Sequence, residues 1–400
     1  MGRNLLIVRV DTTEPGLYGL GCGTFTQRFH PVRSMLLDHI KPLVIGRDAT
    51  LIEELWWLMN YNGYWRYGPV TNNAIAAVDM ALWDIKGKMA GMPLCDLLGG
   101  PVRKGAAVYQ HADGRDLSEL TDHVAAQIEQ GMRHVRVRFG GGSAETRQSG
   151  EAGGMAYGGA GGALAHRPKG ALDGAYYDPR QYVESTVEAI EHVRAYFGGE
   201  LELLHDVHGR LSPAEAIAFA KRLEPSRLFF LEDALGHEDL DWYRHMRAAT
   251  TTPQAVGELF NSPQQWLPLV QERLIDFIRI HISQIGGLTP ARKVAHVAEA
   301  FGVRTAWHGP GDLSPIGHAL HLHLNLVSTN FGLQELQPFT EETREVFPGS
   351  PTFESGYLYP NDQPGIGVGL DEALAERYPC DDSVIQWTQA RLPDGSLHRP

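Results

Sequence analysis

Cysteine is scarce in this 400-residue sequence, which contains only Cys22, Cys95 and Cys380. Their odd number and wide separation exclude a disulfide framework and a cysteine zinc cluster, so we expect a reducing, cytoplasmic setting. Long apolar runs are also lacking. The run before Arg9 is too short for a signal-peptide core, and no later stretch approaches the roughly 18 apolar residues of a membrane span. We therefore expect neither export nor a membrane partner.

Positive charge is in deficit, with 35 Lys and Arg against 48 Asp and Glu and a net charge of −13. This balance disfavours nucleic acid and anionic membranes as partners, because both attract positive surfaces. A glycine-rich nucleotide fingerprint is absent after the first strand candidate. Hydrophobic residues make up 43% of the chain and charged residues 21%, which is typical of a globular protein. An anionic substrate would need a local positive site or a metal.

The first 105 residues predict an α+β domain. Two strand candidates, NLLIVRV and GLYGLGCGTF, precede helical stretches. The clearest helix is AIAAVDMALWDIKGKMAG, whose apolar residues recur at helical spacing and which ends before Pro93.

From residue 106 to about 345 the pattern becomes a strand followed by a helix, repeated eight times. This number predicts a closed (β/α)₈ barrel, with an open doubly wound sheet as the alternative. The proline- and glycine-rich residues 346–400 are expected to pack back on the first domain. The strand candidates are AAVYQH, HVRVRF, LELLHD, LFFLED, QAVGEL, DFIRIHIS, VRTAWH and FGLQEL.

Residues 140–174 interrupt this rhythm with 12 glycines. Local propensity cannot hold such a segment in one conformation. We interpret it as a long loop after the second barrel strand, which is either a disordered insertion or an active-site lid.

Three carboxylates mark the ends of consecutive barrel strands. Asp206, Glu232 and Glu258 are each separated by 26 residues, one strand-helix unit. Singly, each has a simpler explanation as a helix cap or a surface ion pair. Together they would repel one another at the barrel mouth, where catalytic groups of such barrels lie. A hard cation relieves this repulsion, and an all-oxygen ligand set favours Mg²⁺ over zinc.

Other polar residues fall at strand ends around these carboxylates. His208 follows Asp206 by two residues, so it is expected on the same side and is a candidate acid or base. Arg136 and Arg138 share one parity on the second strand. In contrast, the histidines of the helical run GHALHLHLNL are expected to serve packing or to be exposed. The remaining candidates at strands are His111, Arg279, His308 and Glu335.

The chain resembles the enolase superfamily and, within it, the D-mannonate dehydratase family of acid-sugar dehydratases. The similarity extends from YWRYGPVTNNAIAAVDMALWDIKGK to RLPDGSLH, over essentially the whole chain. The blocks that carry it are HDVHGRLSP, LFFLED, VGELFNSP, HGPGDLSP, FGLQE and PGIGVGLDE.

This resemblance implies an N-terminal capping domain, a homo-oligomer and a mechanism. Mg²⁺ on the three carboxylates would stabilise the enediolate formed when the C2 proton leaves, and the C3 hydroxyl would then depart. Tyr157 matches the family's base, Arg136 its assisting arginine and His208 its general acid. Five positions match residues that contact the substrate or support the site: His111, Arg279, His308, Asp312 and Glu335.

Departures from the family pattern leave alternatives open. Because the loop around Tyr157 is longer and richer in glycine, Tyr176 or Tyr177 is an alternative base. Pro310 resembles members that dehydrate D-gluconate or have low activity. The predicted reaction is dehydration of D-mannonate, D-gluconate or both to 2-keto-3-deoxy-D-gluconate. The alternatives are a dehydratase, racemase or epimerase for another acid sugar, and a metal-bound acid-sugar-binding or regulatory protein.

Overall fold

The structure is a computed structural model that describes residues 4–23, 25, 28–139, 169–170, 172, 176–382 and 391–398. Within these ranges, no helix has the length and apolar character needed to cross a membrane. The glycine-rich segment that contains Tyr157 lies outside the described residues.

The N-terminal region pairs two strands against a long helix. β1 (Ile7–Asp11) and β2 (Tyr18–Cys22) are antiparallel, and α4 (Pro69–Ala90) packs on them. Pro69 opens α4, and Gly91 ends it in the left-handed conformation with φ 67°. The predicted α+β region is therefore confirmed. Its other helical elements are α1 (Phe29–Ser34), a π-helical stretch (Met35–Ile40), α2 (Lys41–Val44), α3 (Ile52–Tyr61) and α5 (Leu94–Leu97).

Eight parallel strands form a closed barrel, because the last strand of the series also pairs with the first. The barrel prediction is confirmed, and the open doubly wound sheet is wrong. The barrel strands are β3 (Ala106–Gly114), β4 (His134–Phe139), β5 (Glu202–Asp206), β6 (Phe230–Glu232), β7 (Gln254–Val256), β8 (Phe277–Ile278), β9 (Arg304–Trp307) and β10 (Phe331–Glu335).

Helices follow the strands, as the repeat predicts. Several begin with a side-chain cap and a proline, and Ser212 forms a capping box with Glu215. The longer helices are α6 (Leu117–Glu129), α7 (Pro179–Phe197), α8 (Pro213–Arg222), α9 (Tyr243–Ala249), α10 (Pro263–Gln271), α11 (Leu288–Ala300) and α12 (Pro315–Val327). Two short 3₁₀ turns span Glu224–Ser226 and Leu240–Trp242.

The chain divides into two compact units, which we describe separately. The first comprises Met1–Val108, Gly257–Arg273 and Ile278–Val384, and the second comprises Tyr109–Val256, Leu274–Phe277 and Ile385–Pro400. The domain boundaries at residues 105 and 345 stay a prediction.

The C-terminal segment adds a short hairpin and contacts in both units. After α13 (Glu341–Val346), β11 (Thr352–Glu354) pairs with β12 (Tyr357–Tyr359), which pairs with the start of β3; a short α14 (Glu372–Ala375) follows. In the first unit, Gly365 exchanges backbone hydrogen bonds with Met92 and Leu94. In the second, the Tyr177 amide donates to the Arg391 carbonyl over 2.7 Å.

Candidate active site

In the second unit, an arginine links two buried carboxylates at the ends of neighbouring strands. Asp206 and Glu232 are direct partners in the β5–β6 register. Arg136 donates from one nitrogen to Asp206 Oδ2 over 3.0 Å and to Glu232 Oε2 over 3.1 Å. All three side chains are almost fully buried. With His208, they form what we term the Asp206 cluster.

His208 is held in an unusual backbone conformation beside Asp206. Its φ of 54° lies in the left-handed region, which non-glycine residues seldom occupy and which is frequent at functional sites. Its amide donates to Asp206 Oδ1 over 2.8 Å, and its Nε2 lies 2.5 Å from Asp206 Oδ2. Burial lowers the pKa of His208, although the Asp206 charge acts in the opposite direction.

Arg210 fixes the tautomer of His208. Its guanidinium lies 3.2 Å from His208 Nδ1. Because a guanidinium only donates, Nδ1 accepts and Nε2 carries the hydrogen that faces Asp206. An imidazole N–H is thereby directed at the Asp206 carboxylate.

A second ion pair lies on β3 and β4, two residues further along both strands. His111 on β3 is the register partner of Arg136, and Asp113 is the partner of Arg138. Arg138 makes a two-pronged ion pair with Asp113, with a 2.6 Å contact from its terminal nitrogen to Oδ2. The predicted shared parity of the two arginines therefore gives two ion-pair layers.

The first unit holds a second set of charged residues, Glu258, Arg279, His308 and Glu335, which we term the Glu258 cluster. Arg279 is fully buried and donates to Glu335 Oε2 over 2.5 Å and to Glu258 Oε2 over 3.3 Å. His308 Nε2 lies 3.3 Å from Glu258 Oε2. The Gly309 amide also donates to Glu335 Oε2, over 3.1 Å, so the position of this carboxylate is fixed from two sides.

Asp312 lies in the loop after β9, at the start of the segment that leads into α12. Burial lowers the pKa of His281 to about 4, and the charges of Asp312 and Glu335 oppose that shift. The loop thus places a carboxylate near the buried imidazole.

The acidic residues fit a hard divalent cation. Asp206, Glu232 and Glu258 each belong to groups of acidic and histidine side chains that could hold a metal ion. Carboxylate oxygens without sulfur ligands are the donor set that Mg²⁺ prefers. Glu258 follows β7 by two residues, so all three carboxylates stand at the C-terminal ends of strands that are consecutive in the sheet.

The structure describes two of the three tyrosines that the sequence offers as the base. Tyr157 lies outside the described residues. Tyr176 is buried and donates to the Leu172 carbonyl over 2.7 Å. Burial raises the pKa of Tyr177, whose ring stacks on His398 at 4.5 Å between centroids. Because a raised pKa disfavours the phenolate, Tyr177 is poorly suited to proton abstraction.

The side chains of all three histidines of α12 are buried within the first unit. Burial lowers the pKa values of His318 and His323 to about 4. His323 accepts from the Cys95 amide and donates to the Ile366 carbonyl, which is a packing role. The expectation of packing holds, and that of surface exposure is wrong.

Arg210 and Asp113 were not among the residues singled out from the sequence. The sequence spacing could have predicted Arg210 as a site residue, because it follows His208 by two residues, as His208 follows Asp206. Asp113 lies beyond the apolar part of β3, and only the strand register identifies Arg138 as its partner.

Comparisons with known proteins agree with this architecture. Residues 2–99 match the family model "Mandelate racemase / muconate lactonizing enzyme, N-terminal domain". Residues 119–374 match the model "Enolase C-terminal domain-like". The two matches together cover most of the chain.

Full-length relatives are also similar. A D-galactonate dehydratase family member of Enterococcus gallinarum is 48% identical over 400 residues, covering 100% of this chain and 96% of its own. One of Enterocloster bolteae is 49% identical with the same coverage. The crystal structure of an enolase from Pantoea ananatis with bound D-gluconate and Mg is 46% identical with a TM-score of 0.93, covering 100% of this chain and 96% of its own. The chain therefore belongs to the enolase superfamily and, within it, to the D-galactonate dehydratase family.

Proposed function

We propose that the protein is a Mg²⁺-dependent acid-sugar dehydratase, a hydro-lyase. The observation that carries the proposal is the placement of Asp206 and Glu232 as register partners, both contacted by Arg136, with Glu258 after the next strand. The substrate would be D-mannonate, D-gluconate or both, and the product 2-keto-3-deoxy-D-gluconate. The similar Pantoea ananatis protein that binds D-gluconate and Mg supports this substrate class.

Asp206, Glu232 and Glu258 would hold the metal. When bound, Mg²⁺ supplies positive charge that orients the substrate carboxylate and stabilises the negative charge that develops as the C2 proton leaves. Arg279 and His308 lie beside Glu258 and would donate hydrogen bonds to the oxygens of the acid sugar. His111, Asp312 and Glu335 would support or contact the same ligand.

The proton transfers are assigned to this chain's own residues. Tyr157 would remove the C2 proton, with Arg136 favouring its phenolate form. The acid would be the imidazolium form of His208, which gives its Nε2 proton to the C3 hydroxyl and returns to the neutral imidazole, while the C3–O bond breaks and the hydroxyl leaves as water. The resulting enol tautomerises to the 2-keto acid. Arg210 contacts Nδ1 and so orients the ring with Nε2 on the Asp206 side of the site.

The substrate requires a direct test with a panel of hexonates and pentonates. Purified protein with Mg²⁺ would be incubated with each, and 2-keto acid detected by semicarbazide absorbance. D-galactonate belongs in the panel because it gives the relatives' family its name. A product confined to D-mannonate or D-gluconate supports the proposal, and a product from another acid sugar alone corrects the substrate.

Glu232→Gln tests the metal site, because it removes one charge without changing the side-chain volume. We expect loss of turnover with an unchanged circular dichroism spectrum. The matched control is Glu184→Gln on the surface of α7, which should keep full activity. Undiminished activity of Glu232→Gln would refute the proposal.

An epimerase, a racemase or a binding protein is distinguished by product and by isotope exchange. An epimerase or a racemase forms no 2-keto-3-deoxy acid, although it exchanges the C2 proton in D₂O. A binding or regulatory protein binds the acid sugar without exchange.

A further inference from the structure

A buried chain of hydrogen bonds joins α7 to two neighbouring barrel strands in the second unit. The Tyr182 hydroxyl lies 2.7 Å from His205 Nε2, and His205 Nδ1 lies 2.9 Å from the Val137 carbonyl oxygen. Tyr182 and His205 are 2% and 3% exposed. The proposed proton transfers use neither residue.

The direction of these hydrogen bonds follows from the chemistry of the groups. A carbonyl oxygen only accepts, so His205 Nδ1 donates to Val137. In the neutral ring Nε2 then accepts, and the Tyr182 hydroxyl donates to it. His205 therefore bridges a helix and a strand with both ring nitrogens engaged.

The hydrogen bonds that join Tyr182, His205 and Val137 lie on the opposite side of β4 and β5 from the side chains of the Asp206 cluster. Successive residues of a strand point to opposite faces, so His205 and Asp206 leave β5 on opposite sides. Val137 likewise follows Arg136 on β4. Each end of the Arg136 to Asp206 ion pair is thus adjacent in sequence to a member of the buried chain.

We infer that Tyr182 and His205 are positioning residues that fix the Asp206 carboxylate and the Arg136 guanidinium for metal binding and turnover. The inference rests on the proposed function, since it concerns the same site. His205 ties the C-terminal end of β5 to that of β4, and Tyr182 prevents the imidazole from rotating away from the Val137 carbonyl.

Residues that orient metal ligands from behind commonly change metal affinity or activity by about 10- to 100-fold when they are removed. A rotation of β5 at residue 205 would move Asp206, because the two residues share a peptide bond. The register of β4 and β5 pairs three residues and ends at Arg136 and Leu204, so the hydrogen bond from His205 to the Val137 carbonyl extends the connection one residue beyond it.

The test is Tyr182→Phe, which removes a single hydroxyl and keeps the ring. Mg²⁺ binding would be measured by titration calorimetry without substrate, and kcat and KM with the acid sugar that is turned over. We expect the Mg²⁺ dissociation constant to rise about tenfold and kcat to fall by a similar factor, with a smaller change in KM.

The matched control is Thr252→Val, which also removes a buried hydroxyl. Thr252 Oγ1 donates to the Ala220 carbonyl over 2.7 Å at the N-terminal end of β7, away from the carboxylates. We expect this variant to keep the affinity for Mg²⁺ and kcat while losing some stability. A purely structural role of Tyr182 predicts the same behaviour for both variants.

A second variant, His205→Asn, keeps a donor for the Val137 carbonyl and breaks the contact with Tyr182. It should resemble Tyr182→Phe in Mg²⁺ affinity. Wild-type affinity for Mg²⁺ in both variants, or unfolding of both, would overturn this inference and leave the proposed function standing. If the unmodified protein neither binds Mg²⁺ nor turns over an acid sugar, the proposed function fails and the inference fails with it.

Discussion

At the scale of single residues, His208 combines a strained backbone with a fixed tautomer. Its left-handed φ of 54° aims the ring at Asp206, where Nε2 faces the carboxylate. Asparagine tolerates this conformation better than most residues but cannot donate a proton as an acid does. We predict that His208→Asn lowers dehydration at least about 100-fold while C2 proton exchange in D₂O continues.

NMR of the acid sugar in D₂O measures exchange and dehydration together. The control is Arg227→Asn, a second left-handed position with φ 47°, which should leave both rates unchanged. Loss of exchange together with dehydration would show that His208 takes part in removing the C2 proton, contrary to its proposed role.

Arg136 supplies the positive charge that Asp206 and Glu232 both contact. Removing one partner of a buried ion pair costs about 3 to 5 kcal/mol. We predict that Arg136→Gln lowers the free energy of unfolding by about 3 kcal/mol without Mg²⁺, and that Mg²⁺ stabilises this variant more than the unmodified protein.

Urea denaturation at pH 7 with and without Mg²⁺ checks this prediction. Arg222→Gln is the matched control, because Arg222 makes an exposed ion pair with Glu184 that should contribute less than about 1 kcal/mol. Equal stabilisation of the unmodified protein and of Arg136→Gln by Mg²⁺ would show that the guanidinium does not balance these carboxylates.

At the scale of elements, β2 and α4 approach so closely that two glycines are required. A Cβ on Gly19 would lie 2.0 Å from the Ala81 carbonyl oxygen, and one on Gly21 would lie 1.9 Å from that of Ala77. Two residues of a strand and four of a helix advance by nearly the same distance, about 6 Å, so both contacts occur in step.

Gly21→Ala should therefore lower the free energy of unfolding by more than about 2 kcal/mol, because backbone and not a flexible side chain must move. Gly63→Ala, where the nearest atom would be 3.5 Å away, should change stability by less than about 0.5 kcal/mol. Chemical denaturation measures both. Equal stability of the two variants would show that β2 and α4 can separate at little cost.

Elements were more predictable from the sequence than the contacts between them. The eight barrel strands and α4 follow from local periodicity, and the carboxylates at positions 206, 232 and 258 follow from placing polar residues at strand ends. The role of Arg136 is predicted from the resemblance, because parity alone does not distinguish it from Arg138. Its contacts with Asp206 and Glu232 depend on the register of three strands, which no local pattern encodes.

The buried pair Tyr182 and His205 shows the same limit. His205 lies in the apolar strand LELLHD, and its partner lies 23 residues earlier on the preceding helix. Neither the strand pattern nor the helix pattern marks the pair, because each residue also suits ordinary core packing. Strand ends identify residues that face the barrel mouth, whereas residues behind the strands require the three-dimensional structure.

At the scale of the whole molecule, a buried carboxyl group in α4 links stability to pH. Asp79 is fully buried and accepts hydrogen bonds from the amide and the hydroxyl of Thr289, the second residue of α11. Burial raises its pKa to about 7, against the opposing hydrogen bonds from Thr289. Between about pH 4 and 7 the folded state therefore binds this proton more tightly than the unfolded chain does.

Because the pKa of Asp79 is higher in the folded state than in the unfolded chain, its contribution to the free energy of unfolding is fully present below about pH 4. This contribution is lost as the pH rises through 7. A shift of this size corresponds to about 4 kcal/mol. We predict that Asp79→Asn, which carries no titrating proton, gives a flatter dependence of unfolding free energy on pH between 5 and 8. The exposed Asp241→Asn serves as the control and should retain the slope of the unmodified protein. Urea denaturation at four pH values decides: parallel curves for all three proteins would mean that Asp79 is ionised in the folded state throughout, with the amide and hydroxyl of Thr289 outweighing its burial.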